Sequence, residues 1–207
     1  MTRLFVPVVL IAVMLFAACS SNQKSEQTAG KTSAQSASNV ELNGQPVTLA
    51  GITFRPPSDW RDLGPSGMRK ADYSFGPVEG DKDSATVTVF YFGPNSGGGV
   101  MDNIERWIGQ MSLPNGEDPH KAAVQNSFTV DGMTVHMVEL AGTFNASMGG
   151  PMSGSVEALP GYKMAAAVLE GPEGNVFFKL TGPDKTADQM ITGFDAMLHA
   201  IQKGSQS

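Results

Sequence analysis

From Pro46 to Phe54 the chain alternates apolar with polar residues on either side of Ala50-Gly51, which predicts strand, turn and strand. Pro56-Pro57 ends that pairing, because proline brings no N–H to a ladder. Residues 71–75 form a short strand candidate. Residues 85–92 form a stronger one, with Val87, Val89 and Tyr91 alternating with Thr86, Thr88, Phe90 and Phe92, so both faces carry β-formers and the strand is expected to be central. Residues 127–130 and 134–140 flank Asp131-Gly132, a dipeptide that supplies the two positive φ angles of a primed hairpin turn. Residues 163–169 and 176–181 make a second hairpin around Gly171, Pro172 and Gly174.

Two segments change period. Val100, Ile104, Trp107, Ile108 and Met111 fall on one helical face, with Asp102, Glu105 and Arg106 opposite. Met190, Ile191, Phe194, Met197, Leu198 and Ile201 make a second stripe behind Pro183, with Asp184 as the expected N-cap. Trp60 and Trp107 are expected as core anchors. Strands joined by tight turns, with few helices between them, define an α+β class: a mainly antiparallel β-sheet packed by two helices.

The front of the chain reads differently. Arg3 precedes an apolar run from Leu4 to Ala18 that closes on the small residues Ala17 and Ala18, the anatomy of a secretory signal and shorter than a membrane span. Phe16-Ala17-Ala18-Cys19 resembles the bacterial lipobox, with Phe16 where leucine is usual. That resemblance implies a signal peptide over residues 1–18 and fatty acyl chains on Cys19 that hold the mature protein on a bilayer. Two or more chains anchor stably where one does not. Ser20 implies sorting to the outer membrane where a cell has two. From Ser20 to Asn39 no aromatic or branched apolar residue occurs, so residues 19–45 are expected to be an acylated, disordered tether. Its roughly 26 residues reach on the order of 25 to 30 Å. Residues 46–203 remain for a single α+β domain.

The strand ending in Ile52-Thr53-Phe54-Arg55-Pro56-Pro57-Ser58-Asp59-Trp60 resembles the opening of the PsbP/Mog1-like superfamily. The helix near residue 100, the Asp131-Gly132 hairpin, Ala165-Ala166-Ala167, Phe177-Phe178 and the terminal helix follow in the same order. The resemblance covers roughly residues 47–202. It implies that fold and the non-catalytic accessory or binding role common in the superfamily, several of whose members are lipoproteins. No ligand-binding residue of the family matches a motif here.

Charge and chemistry narrow the partners. Formal net charge is −6 and Lys and Arg are scattered singly, which argues against nucleic acid and against electrostatic adhesion to anionic lipid. The one cysteine has no disulfide partner. His120, His136 and His199 lack zinc spacing, so no metal is expected, and no sequence signature calls for a cofactor. A G-x-S-x-G elbow is absent. Two loops are candidate ligand or partner surfaces. Gly97, Gly98 and Gly99 join a strand to a helix, where backbone amides can hold an anion. Met148 and Met152 lie in a Gly, Ser, Met and Pro segment over 145–161, expected to be a flexible hairpin loop whose thioethers suit an adaptable protein partner or Cu(I). The leading expectation is a membrane-anchored envelope lipoprotein that binds an envelope protein or a small molecule. An envelope hydrolase with a non-obvious site and a structural envelope protein are the alternatives.

Overall fold

The computed structural model describes residues 40–148 and 155–204, so the expected signal peptide, Cys19, most of the expected tether and Met152 lie outside the described residues. The elements run β1 (Val47–Leu49), β2 (Ile52–Phe54), β3 (Arg61–Asp62), β4 (Arg69–Phe75), β5 (Ala85–Tyr91), α1 (Val100–Ile108), β6 (Met111–Ser112) and α2 (Pro119–Ala122). They continue as β7 (Val124–Val130), β8 (Met133–Met148), β9 (Ser155–Gly171), β10 (Gly174–Pro183), α3 (Asp184–His199) and β11 (Gln202–Lys203). Among the described residues these strands form a large sheet ordered β3-β4-β5-β10-β9-β8-β6, with β7 also paired to β8, and a small sheet ordered β1-β2-β11. Every pairing is antiparallel, which is the α+β class expected. No described helix is long and apolar enough to cross a membrane.

Strand alternation divides the apolar residues between two cores. Val87, Val89, Phe178, Leu180, Ala165, Ala167, Val135 and Met137 face α3 and the small sheet, where they meet Met190, Phe194, Met197, Ile52 and Phe54. Phe177, Met164, Ala166, Val168, Val138 and Leu140 point the other way, onto Ile104, Trp107 and Ile108 of α1. Residues 164–169 of β9 are therefore covered on both sides. Ala165, Ala166 and Ala167, all fully buried, let helices approach from each face.

Both helices are shorter than their apolar stripes. Gly109 caps α1, and Met111 leaves the helix to pair with Phe144 as part of β6. α3 ends at His199, leaving Ile201 buried just beyond it. Asp184 does not cap α3 but occupies its first turn. The cap comes from the loop before β5, where Asp81 Oδ2 accepts both the backbone N–H and the hydroxyl of Thr186 at 2.7 Å. A carboxylate there also complements the positive end of the helix dipole.

The segment 145–161 is not a loop throughout. Residues 145–148 pair with 155–158, and β8 and β9 form one long hairpin. Pro160 and Gly161 are accommodated at a bulge opposite Gly142 and Thr143, with Gly161 at φ 70°. Ordered contacts also begin ahead of Pro46. Leu42 packs on the core, and Gly44 N–H donates to Pro56 O at 3.0 Å.

On the α3 side, burial raises the Glu139 carboxyl above its ordinary value; Lys163 opposes this, while Asp195 and Asp188 reinforce it. The folded state then holds this proton more tightly than the unfolded chain, so stability falls as pH rises above the ordinary glutamate value. Glu139→Gln should raise the melting temperature at pH 7 by about 2 °C and leave it unchanged below about pH 4, read by circular dichroism. A Cβ on Gly182 would lie 2.6 Å from Ala85 Cα, a backbone atom of the neighbouring strand. Gly182→Ala should therefore cost about 1 to 3 kcal/mol in urea unfolding.

Candidate functional site

The described parts of the two loops singled out by composition do not converge. Gly97 lies against Phe177, which pairs with Val168. Met148 pairs with Ser155, roughly 13 residues along β9 and about 40 Å of extended strand away. Glycine is required at 97 and 98 by the backbone, at φ 90° and 86°, and a Cβ on Gly97 would lie 2.7 Å from the Phe177 ring. The loop turns its carbonyls inward. Asn103, buried on α1, donates through Nδ2 to Gly97 O at 2.9 Å and Gly99 O at 2.8 Å. The first turn of α1 carries its own carboxylate, Asp102, so an incoming anion would meet a like charge there.

A concave site forms elsewhere, from hairpin turns. The β1–β2 turn uses Ala50 and Gly51 at φ 52° and 74°, and the β7–β8 turn uses Asp131 and Gly132 at 45° and 70°. Both are primed turns, the second as its sequence requires. With the β9–β10 turn they surround a cleft of about 900 Å³, whose wall includes Thr48, Gly132, Glu170, Glu173 and Lys203. β11 laces the end together. Lys203 N–H donates to Asp131 Oδ2 at 2.7 Å, and Gly204 N–H donates to Gly51 O at 2.8 Å. The volume suits a small-molecule ligand, and the lining offers carboxylates, one ammonium and turn backbone. Composition showed the turns, but only strand order brings them to one place.

Glu170 also belongs to a hydrogen-bond chain across three strands. Ser127 Oγ lies 3.0 Å from His136 Nδ1, and His136 Nε2 lies 3.4 Å from Glu170 Oε2. Ser127 and His136 are direct partners across β7 and β8. They border a smaller cavity of about 260 Å³ with Met101 and Ile104 of α1 and Gln125. His136 and Glu139 stand on opposite faces, as their spacing of three predicts. The other histidines sit apart, His120 against Glu105 at 2.9 Å and His199 stacked on Phe128. No group of three or more metal-ligating side chains converges among the described residues.

No family model matches the chain, and no significant match exists among curated proteins. Solved structures do match in backbone. The solution structure of PsbP (CyanoP) from Synechocystis sp. PCC 6803 is 16% identical, covers 77% of this chain and 91% of its own, and superposes with a TM-score of 0.47. LpqN of Mycobacterium tuberculosis, described as involved in cell envelope biogenesis, is 13% identical over 77% of this chain and 84% of its own, with a TM-score of 0.45. At these values neither neighbour's role passes to this chain, and its α+β class stands on strand register.

Proposed function

We propose that the protein is an exported envelope lipoprotein, acylated on Cys19 and tethered through the residues that follow, whose α+β domain is a non-catalytic accessory module that takes a small molecule or partner segment into the cleft at the turn end. The carrying observation is the position of the lone cysteine. It stands directly after the apolar run and the small residues Ala17 and Ala18, where a thiol has no bridging partner but meets the requirement for acylation. The cleft supports the binding half of the reading, because the C-terminal strand holds its turns in place before any ligand arrives. Mass spectrometry of protein from membranes should show diacylglycerol and a further acyl chain on Cys19. Cys19→Ser should move the protein to the soluble fraction. An unmodified thiol, or an unchanged membrane fraction for the variant, overturns the reading.

A second reading, an ester hydrolase, is favoured by the Ser127–His136–Glu170 chain, in which a hydroxyl, an imidazole and a carboxylate meet in the order that nucleophilic catalysis uses. Here the hydroxyl meets Nδ1 and the carboxylate Nε2. Purified protein assayed on short-chain aryl esters decides it. A turnover abolished by Ser127→Ala makes the protein a hydrolase; equal rates in parent and variant discard this reading.

A further inference from the structure

α1 covers only part of its face of the large sheet. Where its last turn meets β10, strand register sets Asp72, Thr88 and Lys179 side by side on β4, β5 and β10. Lys179 is the member without a counter-charge. Its ammonium lies 4.8 Å from the centre of the Phe144 ring and donates to Gln110 Oε1, just beyond α1. Arg106, on the last turn of α1, donates through Nη2 to Asn103 Oδ1. Both cations therefore rest on neutral amide oxygens. Among the described residues neither is in an ion pair, whereas Lys163 meets Asp184 and Asp188 and Arg69 meets Asp72 at 2.5 Å. Asp72, the acid in the same row, meets Arg69 through Oδ2, while its Oδ1 is buried without a partner.

An ammonium taken out of water without a counter-ion raises the free energy of the fold, and a guanidinium close by raises it further. Burial first, and Arg106 second, push the Lys179 amine down to about 8. At Lys163, burial acts the same way but is outweighed by Asp188 and Asp184, and its pKa is raised. The same residue type thus shifts in opposite directions in the two places, because Lys179 is the more deeply buried and lacks the carboxylates that Lys163 meets. In a chain of net charge −6, two cations set together without an acid leave room for an acid from outside.

We propose that Lys179, Arg106 and Gln110 form a receptor for an oxyanion, the carboxylate or phosphoryl group of a bound molecule. The ammonium and guanidinium N–H groups not used on Gln110 and Asn103 donate to its oxygens, and Phe144 lies against its apolar part. This site is separate from the turn-end cleft and does not depend on acylation of Cys19.

The test uses the mature full-length chain carrying Cys19→Ser, so that no acyl chain drives membrane binding. Inorganic phosphate and acetate are titrated against chloride at constant ionic strength, with the Lys179 side chain followed by heteronuclear NMR. A parallel arm measures binding to phosphatidylglycerol and phosphatidylcholine vesicles. The expected result is saturable phosphate or acetate binding that raises the Lys179 pKa by about one unit and is weakened about tenfold in Lys179→Met and Arg106→Gln. Binding only to phosphatidylglycerol vesicles, lost in the same variants, identifies the oxyanion as a lipid headgroup. Arg106 is exposed, so Arg106→Gln carries the test if Lys179→Met does not fold. No response beyond that to chloride in either arm, or the same affinity in Arg106→Gln as in the parent, overturns the proposal.

Discussion

The structure depends on residues 164–169 of β9 being buried on both faces at once. A strand between two helices must present apolar side chains in both directions, and those side chains must be small where the helices come close. Ala165, Ala166 and Ala167 meet that condition, two under α3 and one under α1. β8 and β10 flank this centre with larger residues, so Phe178 fills one core and Phe177 the other. The small sheet, the Asp81 cap on α3 and the loop before α1 then close around a layer whose thickness is already set.

Charge follows the same two-sided plan but is handled differently on each side. On the α3 side Lys163 is surrounded by Asp184, Asp188 and the carboxyl of Glu139, a surplus of acids around one cation. On the α1 side Lys179 and Arg106 rest on amide oxygens and neither is in an ion pair among the described residues, while Asp72 of the same strand row meets Arg69. Buried charge without a partner is a poor means of stabilising a fold. Its retention at Lys179, two strands from an aspartate that meets Arg69, separates this lysine from Lys163 and Arg69, which are paired.

Much of this architecture could be read from the chain because it rests on local rules. Asp131-Gly132 fixes a primed turn by itself, and the Val87-Val89 and Phe177-Phe178 runs need only the pleat to be recognised. The legible part stops where partners are distant in sequence. Residues 145–148 and 155–158 are held by their ladder to each other and carry little buried apolar surface, so neither periodicity nor composition marks them as strand. The cap on Thr186 comes from Asp81, a contact across 105 positions, and the adjacent Asp184 gave a misleading local signal. The glycines at 97 and 98 were visible as punctuation, but the reason for the first, the Phe177 ring, was not. The cleft was hidden for the same reason: its turns are local, its assembly is not. Lys179 was invisible because a single lysine in a strand gives no pattern until its surroundings are known.

The lacing of Gly204 to Gly51 has a practical corollary for anyone handling the protein. Gly204 forms part of the cleft wall, so an extension placed directly after it would start at the cavity mouth. Such a fusion would compete with whatever enters there, and a histidine tag would add imidazoles beside Glu170 and Glu173 and so offer metal a site that the described residues do not build. An affinity label inserted between Cys19 and Val40, in the proposed tether, leaves the turns that line the cleft unaltered.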